Sequence, residues 1–200
     1  ECKFVYADIM LLSGNIWTSL LYYSQIEKDF KESSIGHEAR LRKAKVFYFN
    51  GDFQWAQSQL DVLKSSTSKL IANDAMLLSL LITDNLNLDT SDVPMRAYAR
   101  ADLFYYQNDF DKAHLTLDSV LSYYPFHTLA DEIYFRKYVM YHKQKDIDNS
   151  ILMLNEIISK HSSGILYDDA IFSLARLYEY NGDLDKSSIY YEMILFECPG

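Results

Sequence analysis

Histidine, cysteine and clustered carboxylates are the side chains that could carry chemistry in this chain, and their spacing decides what chemistry is open to it. His37, His114, His127, His142 and His161 are dispersed, with neither the His-x3-His nor the His-Glu-x-x-His spacing that places two imidazoles on one metal. Cys2 and Cys198 stand at opposite ends, each without a companion at metal or redox spacing. In an extended array their Cα atoms could not approach to the ~4–7 Å that a disulfide needs, so cysteine usage leaves the compartment open. The stretch Asp84 to Asp92 alternates oxygen-bearing side chains (Asn85, Asn87, Asp89, Ser91) as a calcium loop does. The sixth and twelfth places, which an EF-hand fills with Gly and Glu, hold Thr90 and Arg96, so a capping loop is the expectation. Asp168 and Asp169 suit a helix start, where the macrodipole favours carboxylates without any catalytic role. No Gly-rich phosphate loop and no Gly-x-Ser-x-Gly elbow occurs. The expectation is a protein that is not an enzyme and holds no cofactor or metal.

Composition narrows the class further. The formal net charge of −9 weighs against nucleic acid and anionic membranes as partners. Arg40, Arg42, Lys43 and Lys45 form the one basic cluster, expected to be a solvated helix face. No apolar run reaches the ~18 residues of a membrane span. The longest candidate, Ala75 to Ile82, is expected to be a buried helix. With 49% hydrophobic residues there is ample core material, and only 6 Gly and 3 Pro argue against turn-rich β architectures.

A repeat organises the chain. A turn residue, then Asp or Asn, then an apolar residue recurs as Gly14-Asn15-Ile16, Gly51-Asp52-Phe53, Asn108-Asp109-Phe110, Lys145-Asp146-Ile147 and Gly182-Asp183-Leu184, at spacings of 37, 57, 37 and 37 residues. Four places before the turn stand Phe47, Phe104, Tyr141 and Tyr178; seven before stand Ala44, Ala101 and Ala175, with Tyr138 as the exception. Five places after it come the small residues Ser19, Ala56, Ala113, Ser150 and Ser187. Nine after come Tyr23, Leu60, Leu117, Leu154 and Tyr191, and twelve after come Ile26, Leu63, Val120, Ile157 and Ile194. Pro125 and Pro199 close two repeats. Such offsets describe a helix, a tight turn and a second, amphipathic helix. Gly ends the first helix with a positive φ, Asp or Asn caps the second, and small residues let helices cross closely. Thr128 with Asp131, and Asp92 ahead of Pro94, read as further helix starts. At least nine helices and no sheet are predicted, with turns at 13–15, 50–52, 107–109, 144–146 and 181–183.

The pattern resembles the tetratricopeptide repeat, and is closest to the bacterial variety of outer-membrane assembly lipoproteins and envelope proteins that work with the Tol–Pal system. It departs from that pattern in bulkier residues late in the second helix and in the absence of the terminal Pro from three repeats. The resemblance implies an all-α, right-handed solenoid of antiparallel helix pairs. One array spans residues 1–200, with repeats at about 1–34, 35–68, 92–127, 128–164 and 165–200 and an extra helix at about 69–88. It implies a non-catalytic scaffold or adaptor that binds a protein or peptide on a concave face, in the periplasm or at the outer membrane, with the cytoplasm as the alternative. The other function it allows is a sensory or regulatory region of a larger signalling protein. Carried over by position, the groove would be lined by Leu41, Lys45, Tyr48 and Phe49, by Tyr98, Asp102, Tyr105 and Tyr106, by Phe135, Val139, His142 and Lys143, and by Phe172, Arg176, Glu179 and Tyr180. Packing between helices stays open for any one of these rings. The Asn places of the chaperone carboxylate clamp read Lys45, Asp102, Val139 and Arg176, so that clamp is not expected. Tyr98, Tyr105 and Tyr106 are the densest ring group and the expected anchors, free of packing duty. With no initiator Met in view, and with Ile189, Tyr190, Tyr191, Met193, Ile194, Leu195 and Phe196 crowding the last helix, a cut from a longer array or self-association through that helix is expected.

Overall fold

Five turns of one construction set the architecture. At each, the Asp or Asn amide donates back to the carbonyl five residues earlier: Asn15 to Met10 (2.7 Å), Asp52 to Phe47 (2.9 Å), Asp109 to Phe104 (2.9 Å), Asp146 to Tyr141 (2.9 Å) and Asp183 to Tyr178 (3.0 Å). The preceding residue donates three back and is left-handed: Gly14, Gly51 and Gly182 at φ 80–84°, Asn108 at 59° and Lys145 at 62°. These paired bonds are the Schellman closure, which satisfies carbonyls that the helix end would strand. The recurring aromatic four places before the turn is therefore the residue whose carbonyl receives the closing bond. The capping expectation holds in three of the five cases: Asp109, Asp146 and Asp183 accept the amides of Lys112, Asn149 and Lys186 at 3.1–3.3 Å. Hydrogen bonds from those same residues hold each of the three carboxyls below its ordinary value. Asn15 and Asp52 make no such cap; their side chains bond Ser13 and Asn50 instead.

The computed structural model describes residues 1–65, 68–86 and 91–197. Among them are eleven α-helices and no strand: α1 (Cys2–Leu12), α2 (Ile16–Asp29), α3 (Ser34–Asn50), α4 (Phe53–Leu63), α5 (Lys69–Leu86), α6 (Val93–Tyr106), α7 (Phe110–Tyr123), α8 (Ala130–Lys143), α9 (Ile147–Lys160), α10 (Tyr167–Tyr180) and α11 (Leu184–Glu197). The five predicted turns fall at the α1/α2, α3/α4, α6/α7, α8/α9 and α10/α11 junctions. Thr128 lies outside α8, which starts without a side-chain cap, and α6 starts with Pro94 in its first turn. The central residues of the calcium-like stretch, 87–90, lie outside the described residues.

The chain divides into two compact units, Glu1–Val120 and Leu121–Gly200. In the first, α1 packs on α2, α2 on α3, α3 on α4 and α4 on α5, and α3 also packs on α6. Its core gathers Ala7 and Leu11 of α1, Tyr23 and Ile26 of α2, Ala39 and Val46 of α3, and Leu103 of α6. The extra helix α5 thus lies to the side without breaking the α3–α6 contact. It is clasped to α4 by Gln57, whose amide donates to the Ser79 carbonyl (3.0 Å) and Thr83 Oγ1 (2.7 Å) and accepts from Ser79 Oγ (2.7 Å). The expectation of a buried helix there is corrected: Ile71, Ala75 and Ile82 are buried, while Leu70, Met76, Leu77 and Leu80 are exposed.

The second unit packs α8 on α9, α9 on α10 and α10 on α11, around Leu154, Ile157, Ala170, Leu174 and Leu177. All five small residues after the turns, Ser19, Ala56, Ala113, Ser150 and Ser187, are buried, as close helix crossing requires. α11 leaves Leu184, Ile189, Leu195 and Phe196 exposed. Between α7 and α8, Phe126 is 98% exposed.

Candidate functional site

In the first unit the α3–α6 contact consumes much of the expected lining. Leu41, Tyr48, Tyr98 and Asp102 are buried, Tyr98 to 3% exposure and Asp102 to 7%, and the Tyr48 hydroxyl donates to Asp102 Oδ2 at 2.8 Å. These four are packing residues, which corrects the expectation that Tyr98 is free of packing duty. Tyr105 is half-buried beside Phe110, ring centroids 6.1 Å apart. Phe49 and Tyr106, 6.0 Å apart, remain half-buried in a cleft of about 340 Å³ together with Leu11, Tyr23, Arg42 and Lys45.

The polar groups of that cleft are committed to one another. Asp8 accepts Arg42 Nη1 on both oxygens (2.6 and 2.8 Å) and the Tyr23 hydroxyl, while Arg42 Nε donates to Glu38 at 2.8 Å. Burial, and then the bond to Asp8, push the Tyr23 hydroxyl well above the ordinary tyrosine range. Burial works against the Arg42 charge, but Glu38 and Asp8 outweigh it and raise its pKa. The basic cluster is paired likewise. Glu27 takes Arg40 at 2.7 Å and also Lys43, and Lys45 lies 3.9 Å from Asp74. Rather than a merely solvated face, the cluster is a set of interhelical ion pairs. Burial alone would raise the Glu27 carboxyl, yet the bonds from Lys43 and Arg40 hold it below its ordinary value.

The second unit presents a larger cleft, about 620 Å³. α10 contributes Phe172, Arg176 and Tyr180, each four residues from the last and so stacked along one face, with Ser173 and Leu177 beside them. α8 contributes Tyr138, His142 and Lys143; the turn and the start of α9 add Lys145 and Ile147. Phe172 is 48% exposed and Tyr180 84%, and the Arg176 guanidinium lies 6.0 Å from the Phe172 ring centre. The Tyr138 and His142 rings are 5.9 Å apart. Phe135 sits instead against the core, its ring 5.4 Å from Tyr138. Val139 is half-buried, and Glu179 is turned to α11, accepting the Tyr191 hydroxyl at 2.8 Å.

Of the expected lining in this unit, then, His142, Lys143, Phe172, Arg176 and Tyr180 come together around one cleft. Sequence reasoning passed over Tyr138 and Lys145, which it took for a core exception and a turn residue. The signal was their departure from the repeat: Tyr stands where other repeats have Ala, and Lys where they have Gly or Asn. The cleft offers two apolar ring faces and several cations, an arrangement suited to holding a ligand by contact and charge. Among the described residues no group of His, Cys, Asp and Glu is placed to hold a metal ion, and no helix is long and apolar enough to cross a membrane. No protein-family model and no curated protein matches the chain.

Proposed function

We infer that this chain is a non-catalytic polypeptide-binding protein of the tetratricopeptide kind, and that the α8–α10 cleft is its binding face. The observation that carries this is the pair of exposed rings, Phe172 and Tyr180, standing one turn on either side of Arg176 in an open cleft. Large rings held on a rigid helix give wide contact with little side-chain entropy to lose, the usual composition of an interface anchor. Five Schellman-closed turns at fixed offsets support the repeat class. The place of action in a bacterial envelope is supported by the resemblance of the repeat alone.

The test is panning of a displayed random 12-residue peptide library against the 200-residue chain, with eluted peptides re-measured on Phe172→Ala and Tyr180→Ala. Peptides that bind the parent should lose ~10-fold in affinity on Phe172→Ala, with helical circular dichroism unchanged. A library that yields no peptide sensitive to either substitution would remove the cleft as the binding face.

A further inference from the structure

The repeat that turns at Lys145 differs from its siblings at two of the recurring places, and both differences line the same cleft. Seven places before the turn, Ala44, Ala101 and Ala175 are buried, whereas Tyr138 is half-buried and lines the cleft. At the turn, Gly14, Gly51 and Gly182 adopt a left-handed φ without steric cost and Asn108, a type that tolerates this region, sits at 59°, whereas Lys145 adopts φ 62° with a long side chain. A backbone position that disfavours a side chain is filled by a cation facing the cleft, a local rule broken at a candidate site.

Charge is distributed in the same sense. Residues 121–200 hold twelve Asp and Glu against seven Lys and Arg, a formal net of −5. Three of those seven cations, Lys143, Lys145 and Arg176, line the cleft together with His142, and none of the carboxylates among the described side chains does. The nearest carboxylate along α10, Glu179, is engaged by Tyr191. Random placement would put acids here more often than bases.

From these observations, and resting on the polypeptide-binding reading above, we propose that the α8–α10 cleft takes an acidic peptide segment, one that carries side-chain carboxylates next to an apolar or aromatic residue. Lys145 and Arg176 meet the carboxylates. Phe172 and Tyr180 receive the apolar side chain. The guanidinium of Arg176 suits both tasks, because its plane can lie against Phe172 while its edge donates to a carboxylate. Single-stranded nucleic acid offers the same pairing of anion and ring, but a phosphate backbone would meet the field of a chain with net charge −9 over its whole length. A short acidic segment needs only the local cations.

The experiment reads the charge of the peptides eluted from the library and their affinity for two charge variants. Phe172-dependent peptides should carry an excess of Asp and Glu over Lys and Arg. Their affinity should fall ~2–5-fold on Arg176→Gln and on Lys145→Gly at low salt, and should weaken as salt is raised. Because Lys145→Gly removes a side chain from a left-handed turn, its melting temperature should rise while its affinity falls, an opposition that misfolding cannot produce. Phe172-dependent peptides of neutral or basic composition would overturn the acidic partner and leave the polypeptide-binding reading standing. A library with no peptide dependent on Phe172 or Tyr180 would remove the cleft as the binding face and the proposal with it. Displacement of the acidic peptides by a 12-nucleotide oligo-dT at equal concentration would assign the cleft to nucleic acid instead.

Discussion

Lys145 is a residue whose energetic cost can be measured directly. A left-handed backbone costs an L-residue with a Cβ roughly 1 kcal/mol relative to Gly, and no other feature of the turn differs in kind from the one at Gly182, where an added Cβ would meet nothing within 4 Å. Lys145→Gly should therefore stabilise the fold by ~0.5–1 kcal/mol, and Gly182→Ala should destabilise it by a comparable amount. Denaturant titration of both variants checks this, and a loss of stability in Lys145→Gly would mean that its side chain has a packing role. The tyrosines divide as sharply. Tyr98, at 3% exposure, should cost ~3–5 kcal/mol when cut to Ala, whereas Tyr180, at 84%, should stay within about ±0.5 kcal/mol. Equal losses at the two positions would contradict the buried placement of Tyr98.

Among the helices, the α2–α3 contact is the one tied to pH. Glu27 on α2 holds Arg40 and Lys43 on α3, and its carboxyl lies below the ordinary 4.5 because those two bonds outweigh the effect of burial. A carboxyl depressed on folding contributes stability above its unfolded pKa and loses it as pH falls through the folded value. Glu27→Gln should thus be destabilised at neutral pH, and its deficit against the parent chain should shrink between pH ~5 and ~3. A deficit independent of pH would show that the pair contributes by shape rather than charge. Helix placement was legible in the sequence because the Schellman turn is local: Gly or Asn, then Asp, then an apolar residue carries most of the information within four places. Side-chain direction was not. Whether Tyr48 and Tyr98 line a surface or a core depends on α3 meeting α6, a contact between residues about fifty apart in sequence. Position within a repeat does not register how closely two helices so far apart in sequence pack. In the second unit Phe172, Arg176 and Tyr180, which share one face of α10, line one cleft.

At the scale of the molecule, each unit closes a core of its own, one around Tyr23, Ile26 and Val46 and the other around Leu154, Ile157 and Leu174. The stretch that joins α7 to α8 follows the end of the first unit and is its opposite in character. Phe126 stands almost wholly in solvent, with Tyr123 exposed one residue before the Tyr124-Pro125 bond. Exposed loop tips are where endopeptidases gain entry to folded chains. An enzyme that cuts after aromatic residues is refused at Tyr124 by the proline that follows, and is offered Phe126 and Tyr123. Brief chymotrypsin digestion should accordingly yield two main fragments, α1–α7 and α8–α11, read by mass spectrometry, and Phe126→Ser should slow their appearance. The shorter fragment would carry the whole α8–α10 cleft, so a single cut would leave every residue of the proposed binding face on one covalent piece of about seventy residues.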